Sequence, residues 1–142
     1  MMNILFDTNI FIDVSLKRDP FYTDSYEALN KVDGVKINGF ILASTFTDIY
    51  YICRKTLGHA QTIDILTTLI ETINILGINR DTIIFAIHSN FTDFEDAVQN
   101  AAAELNDIDI IVTRNAKDFI HGKIPTQTPT EFLEKHNTNG LI

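Results

Sequence analysis

The sequence predicts an α/β fold, an α/β/α sandwich around a central, mainly parallel sheet of four or five strands, and three observations predict it. Short apolar runs alternate along the chain with longer stretches of helical periodicity, and strands that alternate with helices pair in parallel with helices on both sheet faces. The chain has 142 residues, 45% of them hydrophobic, enough for a single core. No Gly-, Pro- or Ser-rich linker, internal repeat or low-complexity tract divides it, so one domain is expected over residues 1–137, with a loose tail at 138–142.

Each element has a local cause. NILF is a short apolar run ending at Asp7, as expected of a buried strand that delivers an acid to the sheet edge. A helix follows through IFIDVSLK. Asp19-Pro20 resembles an N-cap with proline at the first helical position, opening a helix through Tyr22, Tyr26 and Leu29 that closes near Asp33-Gly34. GFILA forms a second strand. Ser44 then begins a helix in which Phe46, Ile49, Tyr50 and Cys53 share a face, and Gly58 is expected to stop it; helical spacing resumes from His59 to about Glu71.

INIL at 73–76 is a third strand, and a helix opens at Asn79 or Arg80. DFEDAVQNAAAELN is alanine-rich with acids in its first turn, which suits a helix starting near Asp93 and ending at Asn106. DIDIIVT is the clearest strand, RNAKDF a turn, and TPTEFLEKH a short helix capped by Thr128 or Thr130. Right-handed crossovers place the carboxyl ends of parallel strands along one edge, where open sheets bind ligands.

Composition excludes several classes. No run approaches the roughly 18 apolar residues needed to cross a bilayer, and Asp7 and Asp13 interrupt the N-terminal apolar stretch where a signal peptide needs none. A soluble, cytoplasmic protein with no membrane association is expected. Cys53 is the only cysteine, which leaves no disulfide framework and no zinc-ligand spacing. The net charge of −8 disfavours a protein that coats nucleic acid by counterion release. It permits a nuclease that grips phosphate through cations, because bound metal reverses the local sign.

Acids collect at the expected sheet edge. Asp7 ends the first strand, Asp48 lies about a turn into the helix after the second, Asp93 and Asp96 open the helix before the fourth, and Asp118 follows the fourth. Asp93 and Asp96 share a helix face, with Cβ atoms about 5 to 6 Å apart. Like charges in one cleft repel unless a cation neutralises them, and Mg2+ or Mn2+ suits a carboxylate and water shell. Two such ions about 3.5 to 4 Å apart catalyse phosphodiester hydrolysis without a cysteine, serine or histidine nucleophile, and His59, His88, His121 and His136 are scattered. Singly, each acid has a structural explanation as a cap, a first-turn residue or a turn residue. Asp7 is the exception, since apolar runs on both sides predict a half-buried carboxylate that needs a partner.

LFDTNIFIDV resembles the first motif of PIN domains, and FTDFEDAVQNAAAELNDIDIIVTRNAKDF resembles their third and fourth motifs run together. STFTDIYYI and TPTEFL are similar to a bacterial branch related to VapC-type toxin ribonucleases. The likeness runs across nearly the whole chain. It implies a PIN-like nuclease domain in which Asp7 is the first metal ligand and Asp96 the third acid, with Asp93 beside it. Asp48 stands where many members have glutamate, which favours ligation through water; Asn115 stands where many have a fourth aspartate, and Asp118 is expected to supply that charge. The implied catalytic set is Asp7, Asp48, Asp96 and Asp118, with Asp93 a further metal ligand.

Thr8, Asn9, Thr113 and Asn115 are expected to support these acids by hydrogen bonds, although such residues also make turns. Arg114 has two equal readings, as a phosphate contact or as the partner of an acid. Lys17, Arg18, Arg54, Lys55 and Lys117 are candidate contacts to an RNA backbone, with solvated surface charge the alternative for most. Tyr50 and Tyr51 have the chemistry to stack on a base, but the spacing of Tyr50 with Phe46 assigns Tyr50 to packing. The expected function is a Mg2+- or Mn2+-dependent endoribonuclease. The resemblance further implies the toxin of a type II toxin–antitoxin pair, a homodimer held inactive by a small antitoxin. The alternative is a PIN-like binding or assembly module of weak catalytic power.

Overall fold

A computed structural model describes residues 1–136; the expected tail lies outside the described residues. Its five strands, β1 (Met2–Phe6), β2 (Ile37–Leu42), β3 (Asn74–Leu76), β4 (Ile110–Val112) and β5 (Thr126–Gln127), form one sheet of order β3-β2-β1-β4-β5. Every pairing is parallel. β1 is central because its apolar residues serve both faces. Ile4 and Phe6 enter one core with Ile10, Phe11, Ile49 and Phe132, whereas Leu5 points into the other with Ala97, Ala101, Ile111 and Phe119. The period-2 geometry of a strand produces this division, and it explains the uninterrupted apolar run.

Helices α1 (Thr8–Ser15), α2 (Tyr22–Asn30), α3 (Thr45–Thr72) and α6 (Pro129–Lys135) cover the first face, and α4 (Arg80–Ile87) and α5 (Phe94–Leu105) the second. The α/β/α sandwich is therefore present. No helix among the described residues is long and apolar enough to cross a membrane. Two local signals act as expected. Asn79 caps α4 in a capping box with Thr82, and Thr128 caps α6 in one with Glu131.

Three expectations need correction. Asp19 does not cap α2: residues 19–21 form a turn closed by the Tyr22 N–H on the Arg18 carbonyl at 2.8 Å, so the helix starts at Tyr22. That helix ends at Asn30, before Asp33, whose Oδ1 accepts the N–H groups of Val35, Lys36 and Ile37 and so organises a loop. Gly58, at φ +81° and ψ 171°, is non-helical and separates α3 into two helical runs, as the expected stop at Gly58 and restart at His59 require. The fourth strand is shorter than DIDIIVT, because Asp107 sits at φ +56° and the Ile108 N–H closes back on the Ala103 carbonyl of α5. β5, only two residues long, is set by its pairing with Ile111 and Val112 and has no pattern of its own.

Candidate active site

β1 leads outward through β2 to β3 on one side, and the chain then returns to place β4 on the other side of β1. The change of direction lies between β1 and β4, so a crevice opens beyond their carboxyl ends. Asp7 is the first residue past β1 and Thr113 the first past β4. The Asp7 N–H bonds the Val112 carbonyl at 2.9 Å, which pins the two strand ends together.

Asp7 is only 6% exposed and caps α1 through its backbone, leaving its carboxylate free to face the sheet edge. Its Oδ1 accepts from Gln99 Nε2 at 2.9 Å and its Oδ2 from Thr113 Oγ1 at 2.7 Å. The Asn115 N–H donates to Thr113 Oγ1 at 3.0 Å, which occupies a lone pair of the hydroxyl and directs its proton to Asp7. Thr113 and Asn115 thus bear on the same carboxylate. Gln99 is absent from the expected set; its only trace in the sequence is a polar residue that is buried on an alanine-rich helix.

Asp93 is the N-cap of α5 and accepts the Asp96 N–H at 3.0 Å. Asp96, in the first turn, faces the same crevice. That crevice is a cavity of about 550 Å³ whose walls include Asp7, Asp48, Asp93, Asp96 and Asp118. Glu95 and Ser44, which the sequence does not single out, also line it. Burial, and then the charges of Asp93, Asp7, Asp118 and Glu95, push the Asp96 carboxyl up to about 7. Burial also raises Asp48.

The supporting residues divide. Asn9 and Asn115 line the cavity. Thr8 does too, but its hydroxyl pairs with Thr45 Oγ1 at 2.9 Å and so joins the starts of α1 and α3. Arg114 turns away from the cavity toward Asp13, with Nε 2.6 Å from Oδ2 and Nη2 3.4 Å from Oδ1, and lies 3.9 Å over the Phe21 ring. Asp13 is wholly buried, and its burial raises its proton affinity despite the Arg114 charge. Lys117 is exposed and outside the cavity walls.

The donors facing the cavity are carboxylate, hydroxyl and amide oxygens, the set a hard divalent cation prefers. Among the described residues, no three Asp, Glu, His or Cys side chains form a ready-made metal cage. The raised Asp96 reflects burial first and then the neighbouring negative charges, both of which a cation would offset. The residues therefore fit an ion that retains much of its water shell.

A family model described as PIN domain matches residues 3–117. No curated protein matches the chain in sequence. Among solved structures, the chain is similar to a toxin–antitoxin complex from Klebsiella pneumoniae, at 26% identity and a TM-score of 0.69 over 89% of this chain and 97% of that one. It is also similar in fold to VapBC2 from Rickettsia felis bound to a DNA fragment from its promoter, at 16% identity and a TM-score of 0.69 over 89% and 98% of the two chains. A third is VapC20 from Mycobacterium tuberculosis, described as a Sarcin-Ricin loop cleaving toxin, at 10% identity and a TM-score of 0.63 over 76% and 86%.

Proposed function

Because the chain belongs to the PIN domain family, we propose that it is a Mg2+- or Mn2+-dependent endoribonuclease and the toxin of a type II toxin–antitoxin pair. The observation that carries this reading is the convergence of five aspartates, from four separate parts of the chain, on one cavity at the carboxyl ends of β1 and β4. Asp7, Asp48, Asp96 and Asp118 would hold the cation, with Asp93 beside them. When bound, such an ion supplies the positive charge that draws a phosphodiester into an acidic cleft and favours attack by water at phosphorus.

The chain's own contribution is placement. Gln99 and Thr113 each hold one Asp7 oxygen, which orients a carboxylate that lines the cavity. Asp96, raised to about 7 by burial and then by the neighbouring acids, is a carboxyl that a bound cation would hold in its charged form. RNA as substrate is supported by the family resemblance and by the relative described as a Sarcin-Ricin loop cleaving toxin. A small antitoxin partner is supported by the relatives solved as toxin–antitoxin complexes. A homodimer rests on the resemblance alone, and light scattering tests it.

The test compares RNA, single-stranded DNA and a small phosphomonoester in Mn2+. RNA cleavage that disappears in Asp7→Asn, with the thermal transition retained, is the expected result. Undiminished cleavage by that variant removes the mechanism. The absence of a ready-made cage among the described residues favours one competing reading, a binding or assembly module. Calorimetry separates the two, because the nuclease takes up Mn2+ in an Asp7-dependent way and the module has no need of it.

A further inference from the structure

Charge is segregated along α3. The chain carries a net −8, yet the stretch from Ile49 to Ile63 contains Arg54, Lys55 and His59 and no acid. Among the described residues, the ion pairs formed involve Arg18, Arg114 and Asp13, so Arg54 and Lys55 are left without a carboxylate partner. The stretch begins at the cavity wall, where Asp48 and Ile52 are both lining residues. Asp48, Tyr51 and Lys55 fall on one face at helical spacing, which sets Tyr51 about 4.5 Å and Lys55 about 10.5 Å beyond Asp48 along the axis.

Tyr51 is 61% exposed, and its ring is braced. Tyr50 stands edge-on to it at 5.5 Å and is itself fixed by a 2.9 Å hydrogen bond between its hydroxyl and His59 Nδ1. The Arg54 guanidinium lies 5.9 Å from both tyrosine rings. An ordered, solvent-facing aromatic ring flanked by unpaired cations is the combination that binds single-stranded nucleic acid, through stacking and phosphate contacts.

We propose that the α3 face formed by Tyr51, Arg54 and Lys55 is a platform for the single-stranded part of an RNA substrate leaving the acid cavity, with Tyr51 stacked on a base and the two cations on neighbouring phosphates. The proposal rests on the nuclease reading for the direction of the strand, but its test reads binding apart from chemistry. Affinity of the full chain for a short fluorescent oligoribonucleotide is measured by anisotropy in EDTA, where cleavage is not expected, across a salt series. Tyr51→Ala lowers affinity at least about fivefold. The double variant Arg54→Ala/Lys55→Ala lowers the slope of log K against log salt by about 0.7 for each phosphate that is no longer neutralised. In Mn2+ both variants raise KM for RNA while kcat and Mn2+ affinity hold, which a general loss of folding would not produce.

Unchanged RNA affinity and KM in both variants, or no binding by the wild type in EDTA, overturns the platform. A shift from dimer to monomer in Tyr51→Ala, with RNA affinity intact, overturns it in favour of a second copy covering this face. Binding that depends on these residues in a protein that never cleaves RNA keeps the platform and removes the nuclease reading. Cleavage with wild-type KM in both variants does the reverse.

Discussion

Asp7 and Gln99, 92 positions apart in the chain, meet through a buried 2.9 Å hydrogen bond from the glutamine amide to the aspartate Oδ1. The bond joins the end of the central strand to the helix that Asp93 caps and that carries Asp96, and with Thr113 on the other oxygen it orients Asp7 relative to those acids.

Gln99→Leu keeps the side-chain bulk but leaves Asp7 Oδ1 without its donor. A buried charged acceptor left unpaired costs about 1–3 kcal/mol, which denaturant unfolding reads directly. The variant also loses RNA cleavage in the proposed reaction, because Asp7 is then held only by Thr113. Wild-type stability and activity together would show that the bond orients nothing.

Asp96 makes the stability of the metal-free protein depend on pH. Its carboxyl, at about 7 in the folded chain against 3.8 as the ordinary value, is held protonated by the fold between those pH values. Its contribution is fully present below 3.8 and is lost as pH rises through about 7. Asp96→Asn removes the penalty, so in EDTA the variant melts higher than wild type at pH 8, and the gap narrows at pH 5. Mn2+ stabilises wild type more than the variant at pH 8. Equal melting temperatures at pH 8 in EDTA would contradict the crowding of charge in the cavity.

Arg114 compensates a carboxylate that has no access to solvent. Arg114→Ala leaves buried Asp13 only Arg18, 3.9 Å away, and costs up to about 3–5 kcal/mol, a loss that shrinks at low pH as Asp13 takes up a proton. Arg114→Lys recovers only part of it, since an ammonium lacks the flat guanidinium that reaches Asp13 Oδ1 through Nη2 and stacks on the Phe21 ring. A stable Arg114→Ala variant with weakened RNA affinity would instead assign the arginine to phosphate.

Gly58 has open space where a Cβ would stand, yet its φ of +81° and ψ of 171° lie in a region used almost only by glycine. Gly58→Ala destabilises the protein by about 1–3 kcal/mol through backbone strain alone, measured by thermal or denaturant unfolding. A neutral substitution would mean that the kink relaxes into continuous helix, with a matching rise in helical circular dichroism.

Much of the architecture is written locally. The apolar run before Asp7, the caps at Asn79 and Thr128, and the acidic first turn after Asp93 act within a few residues, and they mark elements wherever the chain folds. Alternation of strands with helices then requires a parallel sheet whose carboxyl edge gathers Asp7, Asp48, Asp93, Asp96 and Asp118. Where a local signal fails, another interaction outweighs it: the Asp19-Pro20 pair yields to a turn onto the Arg18 carbonyl.

Periodicity and capping depend on neighbours in the chain, so the order of amino acids was enough for the class of fold, for most of its elements other than β5, and for the acids at its edge. Packing in three dimensions settled which groups hold those acids and which of two partners Arg114 takes. Thr113 reaches Asp7 and Arg114 reaches Asp13 only because β4 returns to lie beside β1, and such pairings, 106 and 101 positions apart, leave no local pattern to read.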